Sequence, residues 1–216
     1  MTAPAPTRFA PVTPLHVVPP LEQINLPGAE RAAAAFLNAL GIATHTAATT
    51  DTPARMARAY AEMLSPRSFD LTTFANDEGY DELVLARAIP VHSICEHHML
   101  PFLGVAHVGY LPGQRILGLS KLARVVELLA RRPQVQERLT TQIADWLQTH
   151  LQPRGVGVVI DAEHLCMTVR GVRSGATSTI TSTLLGTLRT DPRSRAEFLA
   201  LTTTTAPSTP QAGRHG

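Results

Sequence analysis

Residues 104–172 read GVAHVGYLPGQRILGLSKLARVVELLARRPQVQERLTTQIADWLQTHLQPRGVGVVIDAEHLCMTVRGV, and the changes of hydrophobic period along this stretch decide the fold. GVAHVGYL (104–111) is a short apolar run closed by Pro112-Gly113, which predicts a strand ending in a turn. From Leu119 the period lengthens. Leu122, Val125, Val126 and Leu129 recur at three and four, predicting a helix over 119–131. Val135, Leu139, Ile143, Trp146 and Leu147 predict a second over 134–151. The Pro153-Arg154-Gly155 turn releases two more strands, 156–162 and 164–172. Two helices set between antiparallel hairpins make an α+β domain.

Outward from this stretch the signals thin. Residues 82–94 have strand character, interrupted at Pro90, and 65–80 are polar and irregular. Thr52-Pro53 opens a helix to about Leu64, with a capping residue before proline at the first helical position. An Ala-rich helix is expected over 30–40. Beyond 172, a Thr-rich strand over 176–185 precedes a short helix from Asp191-Pro192 to about Leu201. The Pro/Ala/Thr-rich residues 1–25 and the tail 202–216 read as disordered segments flanking a single domain, 26–201.

Composition excludes several classes. The chain is 44% hydrophobic and 17% charged, ordinary for a globular protein, and no apolar run is long enough to span a bilayer. The N-terminus lacks a signal-type apolar core, which predicts a cytoplasmic protein. A net charge of +2 is too weak to argue for nucleic acid, and the aromatics are too few and scattered for an RNA- or DNA-binding face. Of 19 Lys+Arg residues Lys121 is the only lysine, a position where a compact ammonium can do what a planar guanidinium cannot.

The chain has two cysteines, each beside histidine: Cys95-Glu96-His97-His98 and His164-Leu165-Cys166. C-x-x-H lets one turn of backbone present both Cys95 and His98 to one ion, and thiolate with imidazole suits Zn²⁺. Read as a strand, the second group directs His164 and Cys166 to the same face. Three ligands leave a fourth place for His97, His164 or a water of lowered pKa; the unligated histidines would then serve as bases. A disulfide or two buried thiols is the bland alternative.

Two further clusters carry potential chemistry. Gly118-Leu119-Ser120-Lys121-Leu122-Ala123-Arg124 sets Ser, Lys and Arg at a helix N-terminus, suited to phosphate or merely a capped end with solvated charges. Gln136-Glu137-Arg138 could read the donor edge of a purine, or simply be the polar first turn of a helix. Arg170 and Arg173 are ambiguous alone.

Taken together and in order, CEHHMLPFLG, GYLPGQRILGLSKLARVVE, RRPQVQERLT, GVGVVIDAEHLCMTVRGV and TSTITSTLLG closely resemble GTP cyclohydrolase I. The resemblance covers roughly 52–201. It implies the tunnelling fold (T-fold), in which antiparallel hairpins from many subunits join into a barrel with helices outside. The helical part would span about 28–65 and the T-fold core about 82–201. It further implies a homodecamer of two pentamers with active sites at subunit interfaces. By matching positions, Cys95, His98 and Cys166 are implied as zinc ligands, and His97 and His164 as the acid/base pair. Ser120 falls near the ribose, Gln136 and Glu137 on guanine, and Arg55, Lys121, Arg124 and Arg170 on the triphosphate.

The implied reaction adds water to C8 of GTP, opens the imidazole ring and releases formate. An Amadori-type rearrangement of the ribose then closes 7,8-dihydroneopterin triphosphate, towards tetrahydrofolate and other pterins. Ala88, where the family usually has an acid, Val91-His92-Ser93 and Ser174-Gly175-Ala176 depart from the pattern without touching a named ligand. A paralogue that stops at a ring-opened intermediate or serves a deazapurine pathway is the competing reading. A purely structural zinc would require a fourth protein ligand.

Overall fold

The computed structural model describes residues 24–173 and 177–203. Asn25 opens α1 (Leu26–Ala39) by accepting the Gly28 N–H at 2.9 Å, and α2 (Thr52–Met63) begins with Pro53 in its first turn. The two helices pack on each other. There follow β1 (Thr73–Ala75), β2 (Val84–Cys95), β3 (Pro101–Leu111), β4 (Arg115–Leu117), α3 (Leu119–Ala130) and β5 (Pro133–Gln134). Next come α4 (Gln136–Leu151), β6 (Gly155–His164), α5 (Leu165–Thr168), β7 (Ser178–Gly186), α6 (Thr187–Thr190) and α7 (Pro192–Thr203).

The main sheet has the order β5-β2-β3-β6-β7, antiparallel except for a two-residue parallel pairing of β5 with the end of β2. β1 and β4 form a separate small ribbon. This is the α+β class that the alternation of periods predicts. α3 and α4 cover one face, where Leu122, Val125, Leu139, Ile143 and Leu147 are fully buried against Phe102, Val108, Val158 and Ile160. Each such side chain contributes about 1.5–3 kcal/mol by leaving water. On the other face Phe198 of α7 is fully buried over Gly157, where a Cβ would stand 2.7 Å from its ring.

Three expectations need correction. First, β6 does not break near Glu163 but runs unbroken to His164, and the following residues are a helical turn rather than a strand. Both partners run out there: His164 already pairs with Phe102 near the start of β3, and Glu163 with Ser178 at the start of β7. With no ladder left, the backbone closes on itself, Val169 N–H donating to the Leu165 carbonyl at 3.2 Å. Second, Pro90 does not interrupt β2. It pairs with Val105, and β5 joins the other edge only at Ile94 and Cys95, so the missing donor costs no ladder bond there. The irregularity lies one turn earlier, a bulge between Ala86 and Ile89 with Ala88 at φ 54°.

Third, α7 continues through Thr202 and Thr203, two residues into the expected tail; Thr202 Oγ1 donates to the Leu199 carbonyl at 2.8 Å. The remainder of that tail, the N-terminal arm before Ile24 and the segment Ser174-Gly175-Ala176 lie outside the described residues. The ribbon of β1 with β4 and the short α6 carried no periodic signal. Among the described residues no helix is long and apolar enough to cross a membrane.

Candidate metal centre and active site

β2 ends in Cys95, and after five residues, 96–100, the chain re-enters the sheet as β3. The turn is tight: Cys95 N–H donates to the Leu100 carbonyl and Met99 N–H to the Cys95 carbonyl, both at 2.8 Å, with Met99 at φ 53°. That geometry puts Glu96, His97 and His98 on an exposed tip above a buried Cys95. Across β3, the register places His164 opposite Phe102, and α5 then swings Cys166 back over the turn.

The two sulfurs come to 4.0 Å, Cys95 Sγ lies 3.9 Å from His98 Nδ1, and the three donors fall within 4.8 Å of one another. A tetrahedral ion with ~2.3 Å bonds to sulfur sets its ligands about 3.8 Å apart, so this donor set fits zinc. Both cysteines are free. His164 and Cys166 converge through a helical turn, however, not through the strand alternation expected of them. His97 Nδ1 is 3.8 Å from Cys95 Sγ but stands outside the three-donor group. His164 is engaged elsewhere, so among the described residues no fourth protein donor joins the three. Burial, and then the neighbouring Cys95, push the Cys166 thiol up.

His164 is held on two sides. Its ring stacks on Phe102, centroids 4.7 Å apart and planes 12° apart, and its Nε2 lies 2.7 Å from Gln136 Oε1. Burial lowers its pKa, and the charge of Glu137, exposed at the start of α4, partly opposes that. Arg170, just past α5, favours the Cys166 thiolate.

The Gln136 side chain, one of the two residues the resemblance sets on guanine, is turned inward. That side chain is 2% exposed, and its amide nitrogen donates to the Ile160 carbonyl (3.1 Å), the Thr179 carbonyl (2.8 Å) and Thr181 Oγ1 (3.1 Å). Its oxygen faces His164.

Sequence reading passed over the groups that brace the Cys95–Leu100 turn. Arg138 pairs with Glu96 and also donates to Gln134 Oε1 (2.9 Å) and the Pro133 carbonyl (3.1 Å). The Arg138 hydrogen bond is the main cause holding the Glu96 carboxyl below its ordinary range. From α2, Tyr60 donates its hydroxyl proton to the Met99 carbonyl at 2.9 Å. Opposite charges in C-E-H-H and Q-E-R were visible, but nothing in the sequence paired them across 42 residues.

The remaining site residues form separate groups. Ser120, Lys121 and Arg124 occupy the first turns of α3, whose other end leads through β5 to Cys95. At 1.5 Å per residue, Ser120 and Lys121 lie ~14–15 Å and Arg124 ~9 Å along the helix from its Ala130 end. Lys121 Nζ lies 5.7 Å over the Phe69 ring, and Arg124 is 3.9 Å from Glu127. Arg55 pairs with Asp51 at 3.0 Å on the exposed start of α2.

The family profile described as GTP cyclohydrolase I matches residues 29–203. This chain belongs to the GTP cyclohydrolase I family. Proteins named GTP cyclohydrolase 1 are similar to it throughout the domain. That of Mycobacteroides abscessus is 54% identical over 178 residues, 80% of this chain and 87% of that one. That of Mycobacterium avium is 51% identical over 197 residues, 89% and 95% of the two chains. That of Thermobifida fusca is 50% identical over 183 residues, 82% and 88%. A solved archaeosine synthase QueF-Like structure overlaps 48% of this chain and 93% of its own, at 16% identity and a TM-score of 0.39, too low to bear on the reading. Family membership and the geometry of Cys95, His98 and Cys166 thus point the same way.

Proposed function

We propose that this chain is a zinc-dependent GTP cyclohydrolase I that converts GTP to 7,8-dihydroneopterin triphosphate and formate, the first step towards tetrahydrofolate. The observation that carries this reading is the convergence of Cys95, His98 and Cys166 beside His164 and Glu137, in a chain of that family. Zinc, when bound by those three residues, supplies a Lewis acid that lowers the pKa of water near C8 of the base. Glu137 accepts the paired N–H groups of the guanine edge, which fixes the ring against the metal centre. His97 and His164 exchange protons with N7 and with the departing formyl group. Arg170, whose charge acts on Cys166, supplies a further cation for the phosphates. Ser120 meets the ribose, and Lys121 and Arg124 neutralise the triphosphate with Arg55.

Because Ser120 and Lys121 sit at the end of α3 remote from the metal ligands of their own chain, these two halves serve one GTP most directly when contributed by neighbouring copies. The open edges of β7 and most of β2 are suited to extending the sheet across subunits. We therefore read the domain, 26–201, as a T-fold subunit of a cytoplasmic homodecamer built from two pentamers.

The test is incubation of the zinc-loaded protein with GTP, following formate and the fluorescence of the oxidised pterin. Both signals are expected, and both vanish in Cys166→Ala. Formate without pterin would favour the ring-opened paralogue. Neither signal from folded, metal-loaded protein would refute the enzyme and leave zinc a structural role.

A further inference from the structure

We propose that Gln136 is a positioning residue whose side chain fixes the tautomer and ring plane of His164 rather than reading the guanine. The proposal rests on the GTP cyclohydrolase reading only for the reaction in which that histidine is used.

The orientation of the Gln136 amide is decided by its neighbours. Ile160 and Thr179 present backbone carbonyls to one end of it, at 3.1 and 2.8 Å. A carbonyl oxygen only accepts, so that end must be the –NH₂ group. The other end is therefore the amide oxygen, and it faces His164 Nε2 at 2.7 Å. Two acceptors cannot bond to each other, so Nε2 carries the proton and donates it. In the neutral ring Nδ1 is then the basic nitrogen, and among the described residues it has no hydrogen-bond partner.

Gln136 is itself immobile. It is 2% exposed, and Thr140 Oγ1 donates to its backbone carbonyl at 2.7 Å while sharing a 2.6 Å bond with Thr181. The residue thereby ties the first turn of α4 to β6 and β7 behind the histidine. Phe102, stacked on the ring at 12°, removes the remaining freedom of rotation. A base held in this way has one nitrogen for the scaffold and one for the substrate. The sequence reading paired Gln136 with Glu137 because they are adjacent. A single step along the helix, about 100°, separates their side chains, the glutamate outward and the amide inward.

The experiment is a double-mutant cycle on the zinc-loaded protein, with Gln136→Leu, His164→Ala and the pair, read as kcat and KM for formate release. We expect Gln136→Leu to lower kcat by about 10²-fold, the scale of a displaced acid–base group, with KM for GTP nearly unchanged. In the His164→Ala background the same change should alter kcat by less than about twofold, because there is no ring left to position. Gln136→Glu, whose buried carboxyl stays protonated and so keeps both a donor and an acceptor, should recover most of the loss. A raised KM with kcat intact would overturn the proposal in favour of a guanine contact. Equal losses in both backgrounds would overturn it in favour of a purely structural role.

A second readout does not depend on turnover. In ¹⁵N-histidine-labelled full-length protein at mildly alkaline pH, the His164 signal, assigned by its absence from His164→Ala, should show a protonated Nε2. Gln136→Leu should give mixed tautomers. A protonated Nδ1 or a mixture in the parent protein would overturn the proposal. An inactive parent with the expected tautomer would instead count against the cyclohydrolase reading alone.

Discussion

Replacing Gly104 by alanine tests whether the closeness of β3 and β6 sets the metal centre. Gly104 sits opposite Ala162, and a Cβ there would stand 2.1 Å from the Asp161 carbonyl oxygen and 2.5 Å from Ala162 Cα. Nonbonded contact begins near ~3.5 Å, so the strands must part locally by roughly 1 Å. The obstacle is backbone, which no change of rotamer relieves. β6 carries His164 two residues further on and leads into Cys166, whereas β2 and its turn carry Cys95 and His98. A 1 Å parting would take the sulfurs from 4.0 Å to about 5 Å, beyond the ~3.8 Å edge of a zinc tetrahedron. We expect overpacking to cost about 2 kcal/mol, a fall of roughly 4–8 °C in Tm. Zinc affinity, measured by competition with a chromogenic chelator, should drop at least tenfold. Adding Ala162→Gly should not rescue either quantity, since the nearest contact is the carbonyl and not the methyl. The reasoning fails if Gly104→Ala keeps the parental Tm and the parental zinc affinity.

Other perturbations follow from features away from the ligands. Ala88→Gly removes a left-handed alanine at φ 54°; the relief of ~1–2 kcal/mol exceeds the extra flexibility of unfolded glycine, so Tm should rise by a few degrees. Asp191 accepts from Ser194 N and Ser194 Oγ at 2.8 and 2.7 Å, and these bonds hold its carboxyl below the usual range. A carboxyl depressed by folding stabilises above its unfolded pKa of about 3.9 and loses that contribution as pH falls through the lower folded value. Asp191→Ala should therefore lower Tm at neutral pH, and the two melting curves should converge in acid. Tyr60→Phe deletes the bond from α2 to the Met99 carbonyl; we expect loss of about 1 kcal/mol of stability and faster zinc release to a chelator.

What the sequence displayed was what depends on local chemistry. The 3.6-residue periods of α3 and α4 came through because each buries one continuous stripe, Leu122-Val125-Val126-Leu129 and Leu139-Ile143-Trp146-Leu147. The C-x-x-H spacing was legible because a single turn holds both ligands. The turn at Leu165–Thr168 was hidden, since its residues suit a strand, and it forms because the neighbouring strands end. Arg138 with Glu96, and Gln136 with His164, pair residues 42 and 28 positions apart, so only the register of the sheet reveals them. Nor can periodicity say whether the first polar residue of a helix, Gln136 here, faces water or the sheet beneath it.

The two sulfurs that meet at 4.0 Å are 71 residues apart along the chain. Cys95 and His98 therefore emerge from the ribosome roughly 4–14 s before Cys166, at ordinary rates of synthesis. During that interval the growing chain offers a metal only two donors, and the third arrives once β6 has been made and laid against β3. The donor set is thus completed late in the birth of the protein, and a chain stalled or truncated before residue 166 has two of its three members.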